Sequence, residues 1–262
     1  MRIPYYHINA FATGPFRGNP AAVCPLPHWL DEAVLQALAT EFNLPATAFI
    51  VKTKSAYEIR WFDTHSEKTS CGHATLAAAH VLFNEFSTEH HETIKFLNYS
   101  KEITVSKFGA LISLTAPAIA MRFAAIPKIF NQALNIIVHE AYQTDEQYIL
   151  ITEDAQRIAE LNPDFKKLAE LDKRAFIVTA PSKKADFVFR YFRPHAASKE
   201  DAITGTALYI IAPYWARKLN KTKLIAQQLS SRGNQIPTEI NKDQVTIKGQ
   251  AYSFAHGEIY LA

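Results

Sequence analysis

Cys71-Gly72-His73-Ala74-Thr75-Leu76-Ala77-Ala78-Ala79-His80-Val81-Leu82-Phe83 is the stretch on which the fold turns. Read as a helix over 72–86, it is apolar on more than one face. Such a helix belongs inside its domain, not on a surface. A short polar loop with one glycine leads into it. The same construction returns later, where Ile203-Thr204-Gly205-Thr206-Ala207 opens a mostly apolar helix over 205–219. Direct repetition is faint elsewhere. The outline nevertheless recurs: strands, a loop with a glycine, a buried helix, more strands.

Working outward, short β-branched and aromatic segments read as strands. In the first half these are 3–11, 21–26, 48–52, 57–63, 93–97, 102–107 and 110–116. In the second half they are 135–141, 147–152, 175–180, 187–192, 235–239, 244–249 and 251–261. Leu30, Val34, Leu38 and Phe42 recur every four residues, which predicts a helix over 30–42. Further helices are expected over 154–162 and 164–171. Ala116-Pro117-Ala118 is the best linker. The expected fold is α+β: two similar domains, 1–117 and 118–262, each an open β-barrel or half-barrel around a central helix. The final strand is free to pack back on the first domain.

The chain has 262 residues, 48% of them apolar and 20% charged, enough for a real core and unlike a disordered chain. A formal charge of +3 without a clustered basic face argues against nucleic-acid binding. Arg217, Lys218, Lys221 and Lys223 read as solvated surface in a helix-end and loop context. No apolar run approaches the roughly 18 residues that span a membrane, and MRIPYYHINAF lacks the apolar core of a secretory signal. Cys24 and Cys71 are the only cysteines. They read as reduced thiols in a reducing compartment, so a cytoplasmic location is expected; Cys24, in an apolar strand, reads as core. No nucleotide-binding fingerprint is present. His90-His91, with Glu89 and Glu92, would need ligands from elsewhere to hold an ion, and no metal is expected. The expected partners are a small carboxylate-bearing molecule and a second copy in a homodimer.

The two helix starts carry the candidate chemistry. Each presents unpaired backbone N–H groups and a partial positive charge. Two of them facing one cleft would receive a carboxylate through Gly72, His73, Gly205 and Thr206. His73 titrates in the range useful for proton exchange, although a histidine beside a helix-start glycine is often only a satisfied hydrogen-bonder. Asp201 can anchor an amine or polarise a histidine; its plainer role is a carboxylate at a helix N-terminus. Asn19, in the glycine- and proline-rich loop 13–20, either lines the cleft or shapes the loop.

Several segments, in order over nearly the whole chain, resemble the PhzF-like isomerase family, which is named for phenazine biosynthesis and related in fold to diaminopimelate epimerase. They are Phe16-Arg17-Gly18-Asn19-Pro20-Ala21-Ala22-Val23, Asn43-Leu44-Pro45-Ala46-Thr47-Ala48-Phe49, Arg60-Trp61-Phe62, Cys71 to His80, Tyr191-Phe192-Arg193-Pro194-His195, Glu200-Asp201-Ala202-Ile203-Thr204-Gly205-Thr206-Ala207 and Gln228-Leu229-Ser230-Ser231-Arg232-Gly233. The resemblance implies a cofactor-free protein that moves a proton on a small carboxylate. It implies His73 and Asp201 as site residues. It also exposes a departure. The family's acid/base glutamate, in a segment like Asn-Leu-Ser-Glu-Thr-Ala-Phe, falls at Ala46, which transfers no proton. Cys71 stands where the epimerase relatives carry a catalytic thiol, and a helix N-terminus lowers a thiol pKa; small buried cysteines are also common. The leading expectation is a cofactor-independent isomerase or epimerase. Its rival is a catalytically silent relative that binds a small acid or a protein, and a third reading makes Ala46 an introduced substitution.

Overall fold

The computed structural model describes residues 1–86, 92–99 and 101–261; Glu89, His90 and His91 lie outside them. The chain forms two compact units, Met1–Thr115 with Ile247–Ala262, and Ala116–Thr246. In chain order the first holds β1 (Arg2–Ala10), β2 (Asn19–Leu26), α1 (Glu32–Phe42), β3 (Thr47–Lys52), β4 (Tyr57–Phe62), β5 (Glu67–Lys68), α2 (Gly72–Val81), β6 (Thr93–Asn98) and β7 (Lys101–Phe108). β8 (Leu111–Pro117) leads out of it. The second unit holds β9 (Arg122–Ala124), α3 (Lys128–Ala133), β10 (Glu140–Gln143), β11 (Gln147–Ile151), α4 (Ala155–Ala159), α5 (Phe165–Leu168), β12 (Ala175–Pro181), β13 (Phe187–Phe192), α6 (Gly205–Leu219), β14 (Lys223–Gln228) and β15 (Gln235–Asn241). β16 (Gln244–Gly249) leads back, and β17 (Ala251–Tyr260) pairs antiparallel with β1.

The ladder types reveal the repeat that residue identity hides. In the first unit β1–β2 is antiparallel, β2–β3 parallel across α1, β3–β4 antiparallel, β4–β6 parallel across α2, and β6–β7 antiparallel. In the second, β10–β11 is antiparallel, β11–β12 parallel across α4 and α5, β12–β13 antiparallel, β13–β14 parallel across α6, and β14–β15 antiparallel. Parallel neighbours require a long crossover, and here each crossover supplies a helix. The first crossover of each unit covers the outside of its sheet; the second, α2 or α6, fills the inside.

Sheet alternation divides the core accordingly. Cys24, Phe49 and Phe62 face outward onto Leu35 and Leu38 of α1. Tyr148, Phe176, Val178 and Phe192 face outward onto Ile158 and Leu168. The inward faces hold the apolar helices: Ala74 to Ala79 of α2 are all buried, as are Ala207 to Ala212 of α6. Trp215 of α6 stacks on Phe187 with ring centroids 5.6 Å apart and donates its Nε1–H to Thr179 Oγ1 at 3.0 Å.

One ion pair recurs in both units. Arg60 on β4 donates from Nε and Nη2 to the two oxygens of Glu67, at 2.8 and 2.6 Å. Arg190 on β13 does the same to Glu200, at 2.7 and 2.7 Å. Each guanidinium lies over the phenylalanine two residues on, 5.1 Å from Phe62 and 4.8 Å from Phe192. Glu67 stands five residues ahead of Gly72, and Glu200 five ahead of Gly205. The pair therefore ties the loop that feeds each inner helix to the strand before it.

Several elements differ from expectation. Of the strand expected over 135–141, only Glu140 onward pairs; Asn135 has φ of +49° and ends the turn after α3. Lys223, expected in a helix-end and loop context, instead opens β14, where Leu224, Ala226 and Gln228 alternate inward and which pairs with β13 and β15. The helix over 72–86 is α-helical to Val81, and its last turn, Leu82–Phe86, widens to a π-helix. α4 and α5 are shorter than expected, each capped by the carboxylate of Asp154 or Asp164.

Arg190→Met should destabilise the second unit by about 3–5 kcal/mol, because it leaves the partly buried Glu200 carboxylate without its counter-charge. Arg190 also donates to the carbonyls of Ile158 and Leu161, at 3.1 and 2.6 Å. Urea denaturation followed by tryptophan fluorescence, with Trp215 as reporter, measures the loss; a change under about 1 kcal/mol, the value of a surface pair, would reject the clamp.

Candidate functional site

The start of α2 is set by Cys71, its N-cap, in an extended conformation. The Cys71 carbonyl accepts from Thr75 N at 3.0 Å and from Thr75 Oγ1 at 2.7 Å, so the side chain of Cys71 is not used as a cap. Its Sγ lies 3.6 Å from His73 Nδ1. Both residues are partly exposed. The structure thus brings two of the expected residues together, a thiol and an imidazole at the positive end of a buried helix. Such a pair can share a proton. Gly72 opens the helix beside them. Cys24, by contrast, is fully buried, and burial pushes its thiol pKa up.

The start of α6 is built from three segments of the second unit. Thr204 is the N-cap, but its hydroxyl is turned away from the helix and donates to Asp201 Oδ2 at 2.7 Å. Asp201 is therefore not the helix cap itself; it stands one turn ahead and orients the capping residue. The Asp201 backbone N donates to Tyr191 O at 3.1 Å. Gln228, 1% exposed, closes the loop with one amide: its Nε2 donates to Asp201 O at 2.8 Å and its Oε1 accepts from Thr204 N at 2.7 Å. Ser230 Oγ donates to Ala202 O. A Cβ on Gly233 would lie 2.0 Å from Gln228 O, so the turn behind this clamp admits no side chain. Gly205 is buried and Thr206 partly exposed.

Ala46 is fully buried just ahead of β3, and its carbonyl accepts from Ala22 N at 3.1 Å. Ala48 pairs with Trp61, so alternation puts Ala46, Ala48 and Trp61 on the inward face. Trp61 is fully buried, and its indole Nε1–H has no hydrogen-bond partner among the described residues. The neighbouring Thr47 Oγ1 is likewise unpartnered. Buried donors are rarely left this way. Asn19 is buried where β2 begins, opposite Ala10. Gly18 before it has φ of +73°, and a Cβ there would lie 2.3 Å from Ala10 O.

Other titratable groups are occupied. Arg60 holds the Glu67 carboxyl below its usual range, and Tyr99 also donates to it at 3.0 Å. Glu67 lines a surface cavity of about 280 Å³ with Lys68, Thr69, Asn98, Tyr99 and Lys101, but its carboxylate is already engaged. His80, in the last turn of α2, is bonded to Ser253 Oγ at 2.9 Å. Burial, helped by Lys107, lowers its pKa to about 4. Among the described residues no three His, Cys, Asp or Glu side chains gather to hold a metal, and no helix is long and apolar enough to cross a membrane.

The positioning role of Gln228 is not legible in sequence: it opens the segment 228–233, but its amide acts on backbone groups more than 20 residues away. The signal that could have aligned the two site loops is Arg60-Trp61-Phe62 against Arg190-Tyr191-Phe192, each followed by its glutamate at the same offset from a helix-start glycine.

Comparison with known proteins places this geometry in context. The family described as phenazine biosynthesis-like protein (PhzC-PhzF) matches residues 8–257. An uncharacterised isomerase of Pseudomonas aeruginosa is 40% identical over 261 residues, covering 100% of both chains. A crystal structure of a PhzF-family phenazine biosynthesis protein from Enterococcus faecalis superposes with a TM-score of 0.95 at 41% identity, again covering 100% of each chain. A hydroxyproline epimerase from Agrobacterium vitis shares the fold alone, with a TM-score of 0.62 at 7% identity over 98% of this chain and 92% of that one.

Gln228→Leu should cost about 1–3 kcal/mol, because it strands Thr204 N and Asp201 O without partners, and should speed hydrogen exchange at the Thr204 amide; unchanged exchange would mean the clamp does not order the loop. His80 makes a pH prediction. Its folded pKa lies below the ordinary histidine value of 6.5, so the unfolded chain binds the proton first on acidification. The stability is full above about pH 6.5 and falls as pH drops through about 4. His80→Gln should flatten the stability-versus-pH slope between those limits in urea titrations.

Proposed function

Because the chain belongs to the phenazine biosynthesis-like family, we propose that it is a cofactor-independent isomerase acting on a small carboxylate-bearing acid by proton transfer. The observation that carries this reading is the Cys71–His73 contact of 3.6 Å at the start of a buried helix, in a chain that the family matches over residues 8–257. The backbone N–H groups at Gly72 and His73, and those at Gly205 and Thr206, are the proposed carboxylate receivers. His73 orients substrate or exchanges a proton. Asp201, fixed by Thr204 and Gln228, is the second proposed polar contact. Cys71 is a weaker candidate, as a thiol that His73 can deprotonate. We also read the protein as cytoplasmic and homodimeric, the latter checkable by sedimentation.

Ala46 favours a second reading, a silent relative that binds a small acid or a protein. An alanine moves no proton, and a positioned general acid or base is worth about 10²- to 10⁴-fold. The unpartnered Trp61 Nε1–H adds to this point: it is a buried donor on the face of Ala46, where a carboxylate would accept it. Diagonal neighbours on paired strands lie within reach of long side chains.

The chain should therefore show little proton exchange with a dihydro-hydroxyanthranilate-like acid in heavy water, and Ala46→Glu should raise deuterium incorporation by about 10²-fold or more. Pro45 restricts Leu44 and fixes its own φ, so Pro45→Ser with Ala46→Glu is the companion variant. Brisk exchange by the unaltered chain would point to Cys71 or His73 as the base. Folded variants with no gain would favour the silent binder.

A further inference from the structure

The last strand of the first unit presents an open edge. β17 pairs with β1. Met1 and Leu261 exchange two hydrogen bonds at the end of that ladder: the Met1 amine donates to Leu261 O at 2.6 Å, and Leu261 N donates to Met1 O at 2.9 Å. Bonded and non-bonded pairs alternate along an antiparallel ladder. Ile259, Gly257 and Ala255 therefore turn their backbone groups to β1, and Tyr260, Glu258 and His256 turn theirs away. Among the described residues no backbone group meets those three on the far side. All three are exposed, and so is every residue from Tyr252 to Ala255, so the strand is open on both faces there.

Edges of this kind are normally blunted by shortness, charge or proline. The second unit does so. Its β9 pairs antiparallel with β10 as β17 does with β1, but it runs for three residues, begins at Arg122 and is soon followed by Pro127. β17 runs for ten residues, Ala-Tyr-Ser-Phe-Ala-His-Gly-Glu-Ile-Tyr, with no lysine, arginine or proline. An aromatic patch continues it. Phe254 stands where the register slips between His7–Ala255 and Ile8–Ser253. Its ring centroid lies 4.9 Å from that of His7 and 6.1 Å from that of Phe16. Phe16 is 71% exposed and held at φ of +63°, where a bulky side chain is rare.

The edge is complementary to itself. A two-fold axis at Gly257 lays two copies of β17 antiparallel, with their outward-turned residues opposite one another. Each His256 then faces a Glu258, an imidazole against a carboxylate, and each Ala255 faces an Ile259. The two glycines meet at the axis. Moving the axis to Glu258 sets that carboxylate against itself, which is unfavourable. The exposed pair that Glu258 makes with Arg2, at 3.7 Å, is a weak competitor. An isologous contact of this kind closes on itself as a dimer. We propose that the free edge of β17 is the docking surface for a second copy of this chain, joined strand to strand. This rests on the homodimer reading above and gives it a surface.

The test is sedimentation velocity of the whole chain across a dilution series, with Glu258→Pro as the variant. Proline removes the Glu258 N–H, which points away from β1, so the β1–β17 ladder is kept. The unaltered chain should sediment as a dimer. The variant should dissociate at a concentration about tenfold higher or more, because the two-fold axis repeats each lost hydrogen bond. Amide hydrogen exchange of the unaltered chain gives a second readout that needs no variant. In the dimer the His256 and Glu258 amides should exchange slowly, as Gly257 and Ile259 do, where an edge open to water would leave them fast. A dimer in which those two amides exchange fast overturns the edge and leaves the homodimer reading standing. So does a folded Glu258→Pro chain that dimerises as before. A chain that stays monomeric at every concentration overturns both.

Discussion

The bidentate pairing of an arginine with a glutamate, once in each unit, is the constraint from which the rest follows. Arg60–Glu67 and Arg190–Glu200 are two-point contacts between partly buried groups, and the planar fork of arginine fixes both distance and direction. Each one anchors the segment five residues ahead of an inner helix. The start of that helix is where the proposed carboxylate receivers lie. A looser tie would let that loop wander, and a site displaced by about 1 Å works poorly. The phenylalanine beneath each guanidinium adds a cation–π contact and excludes water from one side of the pair.

On this common frame the two units have diverged at their helix starts and on their inward faces. The first unit offers Cys71 and His73 at its helix start; the second offers Thr204 and Thr206, with Asp201 held close by. The inward aromatic is an indole in one and a phenol in the other, and neither is simple filler. Trp61 buries an unpartnered N–H, and Tyr191 is flanked by Asp201 and Arg193. Buried polar atoms without partners cost stability. They are tolerated in a packed interior where something other than packing selects them.

The second unit also shows how a loop can be made rigid without regular structure. Gln228 meets Thr204 and Asp201 with the two ends of one amide, Ser230 meets Ala202, and the Leu229 backbone N donates to Phe189 O at 2.9 Å. The strand thereby holds the helix start at fixed height above the sheet. No comparable clamp was visible from residue types, since hydrogen bonds between a glutamine and distant backbone leave no local pattern.

What the sequence by itself determined is local and periodic. The all-round apolarity of the two inner helices placed them inside their units, because no water-facing stripe was available to either. Their glycine-led starts, and the motifs around His73, Asp201 and Ala46, were legible for the same reason: they lie within a few consecutive residues. The tertiary structure alone decided the rest. It showed the repeat as a sequence of parallel and antiparallel ladders, which needs long-range pairing that no window of sequence contains. It made a strand of 223–228, because the inward alternation of Leu224, Ala226 and Gln228 is used only where neighbouring strands pair with it. It set Gln147 beside Ala175, 28 residues apart by number, because strand register, not chain distance, fixes which residues are neighbours.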